Sequence, residues 1–229
     1  GICTVIALIW GVKERKEFRQ DYNQRFNFIQ GLKYSFKNKG FVIYILLFFL
    51  YEYVTLILGN IVPFYGQEIL GANTFQTSLL LGAMIIVGTG SLFLWKKLDV
   101  AFGSRISYGI AILSYILASI PLLFVTSYIT AMITACFMGI GFGGLLYFIY
   151  LLIADVIDED ELKTGVRREG TFFGIANFFM RLAMILSILS VSIVFTQTGW
   201  ETYVPNPNVN VKWGIRMLMV IFPATALIL

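Results

Sequence analysis

Two ionisable side chains lie where an apolar chain can least accommodate them. Glu52, in Tyr51-Glu52-Tyr53, and Arg181, in Phe179-Met180-Arg181, both fall inside long apolar runs. A charged residue at bilayer depth costs about 2.5–3.5 kcal/mol to insert, so its default reading is a substrate or ion pathway. Each sits about eleven residues past the start of its run, roughly 16 Å deep at 1.5 Å per residue. Equal depth permits an ion pair that fixes helix register, or a carboxylate and a cation facing one polar cavity. Arg216 lies nearer the end of its run, where a long cationic side chain can snorkel to the interface.

The neighbours of these residues extend the pattern. Gly170, Gly174, Asn177 and Arg181 recur at spacings of four, three and four, so they share one helix face. Such a small, polar and cationic stripe suits a cavity wall, and its glycines also suit close helix packing. Gly139, Gly141, Gly143 and Gly144 precede Tyr147 and Tyr150, whose rings and hydroxyls fit either a sugar or the packed core. Gly59-Asn60-Ile61-Val62-Pro63 marks a weak point at which freed carbonyls and Asn60 can face a cavity. Asp155, Asp158 and Glu161 recur every three residues just past an apolar run, and Arg167 and Arg168 return the opposite charge. Beside two bilayer exits, that arrangement fits a switchable cytoplasmic gate.

The elements that must position these residues are membrane helices. The 229 residues are 58% hydrophobic and 13% charged, with mean hydropathy +0.81, whereas soluble domains carry about 25% charged residues. Six runs approach the roughly 20 residues a span needs: 41–65, 77–95, 106–125, 129–154, 171–196 and 213–229. Fourteen Lys and Arg fall in loops on one side and only Lys212 on the other, which makes the rich side cytoplasmic. The net charge of +4 therefore reports topology and no nucleic-acid partner. Phe18, Tyr22, Phe26, Ile29, Leu32 and Phe36 form one apolar face within residues 13–40, as in an interfacial amphipathic helix. Residues 1–12 read as the end of a truncated helix and the last run also looks cut short, so a fragment of a longer chain is expected.

Several chemistries are excluded. There is no histidine, no GxxxxGK[ST] nucleotide loop, and only Cys3 and Cys136, both in apolar runs without metal-ligand spacing. No enzyme activity, cofactor or metal is expected.

Ala154-Asp155-Val-Ile-Asp158-x-x-Glu161-Leu-Lys163, then Arg167, then Asn177 and Arg181 on a helix, resembles the glycoside–pentoside–hexuronide:cation symporters. These form the melibiose-permease-like branch of the major facilitator superfamily. Tyr203-Val-Pro205-Asn206, Phe222-Pro223, and Lys97-Leu98-Asp99 with Gly103 and Arg105 extend the likeness. The resemblance implies an all-α membrane protein, the C-terminal six-helix bundle of a twelve-helix transporter. Residues 1–12 would end helix 6, 13–40 would be the middle loop, and 41–229 would be helices 7–12. It also implies cation-coupled symport of a sugar or glycoside across the cell membrane, with Na⁺ or H⁺ bound mostly by the N-terminal half. Arg181 corresponds to a helix 11 cation near the sugar and Asn177 to a sugar-binding polar residue. Asp155, Asp158, Glu161 and Arg167 correspond to salt-bridging gate residues. A lysophospholipid or other anionic-solute carrier, and a non-transporting scaffold or receptor, stand as alternatives.

Overall fold

The computed structural model describes residues 33, 35–165, 169–200 and 209–229. Residues 1–12, most of the amphipathic segment before Phe36, Tyr203-Val-Pro205-Asn206, and both Arg167 and Arg168 lie outside them. Among the described residues six helices are long and apolar enough to cross a membrane, and there is no strand. They are α1 (Lys39–Phe64), α2 (Thr74–Phe102), α3 (Ser104–Ser119), α4 (Tyr128–Thr164), α5 (Glu169–Thr198) and α6 (Val209–Ile228). Their alternating directions bring Lys39, Lys96, Lys97, Arg105 and Lys163 to one end of the bundle, the basic end.

Local chemistry sets the boundaries. The Asn38 side chain accepts from the Gly40 and Phe41 amides and starts α1. Asn73 and Gln76 form a capping box at the start of α2. Gly103, at φ 80°, carries the chain from α2 into α3 through a single residue. Pro63 does not break α1; the irregularity appears just after it, as a π-helical turn over Tyr65–Ile69. The expected fourth span is the most extended in the structure, because α4 continues through the acidic run to a left-handed Gly165 cap. Glu159 and Lys163 pair one turn apart on that extension. Its 37 residues span about 55 Å, against an apolar bilayer core of about 30 Å.

The helices pack as two interlocked triplets. α4 lies chiefly on α2 and α3, and α1 chiefly on α5 and α6. Glycines bring α4 against its partners almost backbone to backbone. A Cβ on Gly139 would come 2.5 Å from the Met84 carbonyl oxygen, and one on Gly143 would overlap the Gly88 carbonyl oxygen and Ser91 Oγ. On another side of α4, a Cβ on Gly141 would strike the Tyr115 backbone. Trp95 Nε1 donates to the Ile140 carbonyl at 2.8 Å within this seam.

The α1–α5 contact is different in kind. Three aromatic pairs, Phe41–Phe172, Phe49–Phe179 and Phe64–Phe195, run along it. Ser190 donates to the Leu186 carbonyl, so the Tyr53 hydroxyl is the donor in its 2.9 Å bond to Ser190 Oγ. Asn60 Nδ2 donates to Ser187 Oγ at 3.0 Å. Interhelical hydrogen bonds in membranes average about 0.6 kcal/mol and reach about 1.7 kcal/mol. A double-mutant cycle of Tyr53→Phe and Ser190→Ala, read by thermal unfolding in detergent, is expected to give coupling inside that range. Strict additivity would mean the bond contributes nothing.

Arg216 is half-buried and reaches the end of the bundle. Its Nη2 donates to the Val125 carbonyl at 3.3 Å, past the C-terminal end of α3, and the guanidinium stands over the Trp213 ring. Tyr65 donates to the nearby Leu122 carbonyl at 2.8 Å. Both groups satisfy carbonyls freed where a helix ends, and both tie one triplet to the other at the end opposite the lysines.

Candidate functional site

α5 buries Phe172, Ala176, Ala183, Ser187 and Ser190 against the bundle. Arg181 precedes Ser190 by about two and a half turns and therefore points the opposite way. It is exposed, as are Asn177, Gly174 and Gly170. The stripe seen in the sequence is thus a real outward face, with Arg181 about 18 Å along α5 from Glu169. A Cβ on Gly170 or Gly174 would meet no atom within 4 Å, so the face is open along its length. Asn177 Nδ2 donates to the Phe173 carbonyl at 3.0 Å, leaving its amide oxygen for a ligand.

Glu52 is not placed against Arg181. No ion pair joins them among the described residues. Glu52 is half-buried on α1, where it and Tyr150 of α4 lie within electrostatic reach of Tyr44 and Tyr51. The carboxylate therefore keeps company with phenols and the cation stands apart. An arginine cannot shed its proton, so Arg181 is a fixed positive charge on an open face, about 18 Å along α5 from Glu169.

The remaining predicted residues divide. Tyr150 is exposed beside the Glu52 cluster. Asn60 is exposed but anchored to Ser187, at the far end of the α1–α5 contact. Tyr147 is engaged elsewhere. Its hydroxyl donates to Asp99 Oδ2 at 3.2 Å, while Ser104 Oγ donates to Asp99 Oδ1 at 2.7 Å. These bonds fasten the α2–α3 turn to α4, so Tyr147 serves packing at the basic end in this conformation. Asp99 is the centre of that turn, and only the loosened Asp/Gly/Arg motif pointed toward it.

At the basic end, Asp155 and Asp158 are exposed and Glu161 is half-buried, on one side of the α4 extension. Asp160, outside the three-residue spacing, is the buried carboxylate of the run at 5% exposure. None of Asp158, Asp160 and Glu161 stands unpaired. Glu159 reaches the start of α1, where a Cβ on Gly40 would come 3.3 Å from its Oε2. An acidic group there is favoured by the free amides and positive end of the helix. Phe41, Phe172, Ile153 and Ile157 are buried near this end, and the Phe41 and Phe172 rings meet at 4.5 Å between α1 and α5.

A model of the MFS/sugar transport protein family matches residues 1–229. An uncharacterized symporter of Synechocystis is 24% identical over 205 residues, 86% of this chain and 37% of the relative. The sodium-dependent lysophosphatidylcholine symporter 1 of Xenopus tropicalis is 24% identical over 233 residues, 100% of this chain and 44% of the relative. A putative sulfoquinovose importer of Escherichia coli is 29% identical over 80 residues, 35% of this chain and 17% of the relative. The chain spans less than half the length of each of these relatives.

Proposed function

The chain belongs to the MFS/sugar transport protein family, and from that premise we propose that it works as the C-terminal half of a cation-coupled symporter for a sugar or glycoside. The carrying observation is the open polar face of α5, with Asn177 and Arg181 at mid-membrane depth. A polar face pointing away from its own bundle needs a partner, and a second six-helix half across a solute pathway supplies one. Alternating access then follows from rocking the halves about this midplane site. Glu52, Tyr150 and Asn60 line further parts of the same pathway on α1 and α4. The basic end is cytoplasmic in this reading, by the sorting of Lys and Arg, and the membrane is the cell membrane.

Two of the similar proteins are named for lysophosphatidylcholine and sulfoquinovose. The first cargo carries a phosphodiester and the second a sulfonate on a sugar, so both readings of cargo weighed from the sequence have relatives.

Transport is tested with the full-length protein in proteoliposomes, following a labelled methyl glycoside under an inward Na⁺ gradient and, separately, an inward proton gradient. Accumulation above empty liposomes under one gradient is expected. Flat uptake under both, for neutral and charged glycosides alike, removes the reading.

The gate makes its own prediction. Asp158→Lys puts a cation into the acidic run beside Asp155 and Glu161, and is expected to weaken closure at the basic end. A cysteine at Asn177 should then label faster from that side with a membrane-impermeant thiol reagent. An unchanged labelling rate from both sides would discard the gate.

A further inference from the structure

Away from the solute pathway, we infer that the α3–α6 rim at the end opposite the lysines docks an anionic phospholipid, and that Lys212 and Arg216 hold its phosphate. Cations are scarce at that end. Among the described residues only these two lie there, whereas Lys39, Lys96, Lys97, Arg105 and Lys163 gather at the other. Arg216 Nη2 donates to the Val125 carbonyl at 3.3 Å, and its guanidinium stands 5.6 Å from the Trp213 ring centroid. Its Nε is buried with no acceptor among the described residues. Lys212 lies one turn earlier on the same helix face. Side chains on a helix lean toward its N-terminus, so both cations extend toward the membrane surface. No described carboxylate joins them. Glu68, in the π-helical turn after α1, forms no ion pair with either, and the first turn of α6 carries no acid. Lys212 thus stands at the positive end of a helix, where a cation is disfavoured until an anion offsets it.

The surroundings have the layered polarity of a lipid. Val125 follows the last turn of α3, so the guanidinium reaches the level at which the chain leaves the apolar layer. Beside it Trp213 and Met217 of α6, and Ile120 and Phe124 at the end of α3, are exposed. Tryptophan is favoured at headgroup level. A free anion would neutralise the cations and leave these apolar side chains bare, whereas a phospholipid covers both. Its phosphate accepts the remaining guanidinium N–H donors and the Lys212 ammonium, and its acyl chains lie on the apolar side chains. Phosphatidylcholine brings an ammonium of its own to the two cations, so a lipid with net negative charge is preferred. The rim belongs to α3 and α6, and α3 packs on α2, α4 and α6 rather than on α5. The bound lipid is therefore a clip between two helices and is distinct from any cargo on the α5 face.

The test uses the full-length protein in phosphatidylcholine nanodiscs. Part of the lipid is replaced by phosphatidylglycerol or phosphatidylcholine brominated near the headgroup end of its acyl chains. Bromine quenches tryptophan on contact, and the share due to Trp213 is the difference from Trp213→Phe. Half-quenching of that share should need a mole fraction of brominated phosphatidylglycerol about fivefold or more below that of brominated phosphatidylcholine, the gain expected of one cation at an anionic surface. Lys212→Gln should reduce this preference, and Lys212→Gln with Arg216→Gln should abolish it. Lys97→Gln, at the opposite end, should leave it unchanged. Equal quenching by the two lipids in the wild type overturns the site, as does a preference that survives the double variant. Loss of the preference in Lys97→Gln also overturns it, by reducing the effect to net charge. Where the double variant does not fold, Lys212→Gln decides, and an unchanged preference there overturns the site.

Discussion

Gly143→Ala is expected to cost about 3 kcal/mol and to lower the yield of folded, monodisperse protein in detergent. The added methyl group overlaps the Gly88 carbonyl oxygen and Ser91 Oγ. Overpacking in a filled core costs about 1–3 kcal/mol when side chains can move aside. Here the first obstacle is backbone of α2, which moves only with the whole helix. Separating α2 from α4 would also stretch the Trp95–Ile140 bond and open space beside the 2%-exposed Trp95 ring. Gly139→Ala, directed at the Met84 carbonyl oxygen, should behave the same way. Gly82→Ala and Gly109→Ala are the matched controls, because a Cβ there meets nothing within 4 Å. Thermal unfolding followed by size-exclusion chromatography separates the cases. Equal melting of Gly143→Ala and Gly82→Ala would show that α2 and α4 are not held at this distance.

The second large effect separates stability from transport. Arg181→Leu should leave the melting temperature unchanged or raise it, because the residue lies on the outward face of α5 and contributes no ion pair within the described bundle. Uptake of the protein's cargo should fall about 10- to 100-fold. That corresponds to losing hydrogen bonds to a charged group, worth about 1.5–3 kcal/mol, at 1.4 kcal/mol per factor of ten. Surface expression and melting are measured on the same preparation as uptake. A large fall in melting temperature would make Arg181 a structural residue, and full uptake would remove it from the pathway.

The membrane helices were legible because lipid imposes a coarse rule. Long apolar runs must span, and cations sort to one side of them. The α5 stripe was legible for a similar reason, since a repeat of three and four residues defines one face whatever surrounds it. Pairings were less visible. Equal depth permits Glu52 either to pair with Arg181 or to share a cavity with it, but depth is one coordinate and the azimuth of each helix is set by packing. Tyr53 and Asn60 fix that azimuth through Ser190 and Ser187, and serines in an apolar run carry no signal of their own. The Tyr147–Asp99 bond links positions 48 apart in sequence, across a turn whose motif is loosened. The partner of Arg216 carries no sequence signal for a simpler reason: it is the Val125 carbonyl, and every residue has a carbonyl. In the acidic run a three-residue spacing selects the solvent side of a helix, so Asp160 on the packed side was passed over.

The length of α4 has a mechanical consequence. From Ile140, pinned to Trp95 in the glycine seam, the helix runs on to Thr164 as one rod of about 36 Å. A tilt of about 5° at the seam would swing its tip by about 3 Å over that length, more than enough to make or break a hydrogen bond. The acidic run rides on the far part of the rod, where small rotations of the packed interior become the largest displacements. A spectroscopic label at Leu162, which is 89% exposed near the tip, would therefore be the most sensitive pointer to the position of the core.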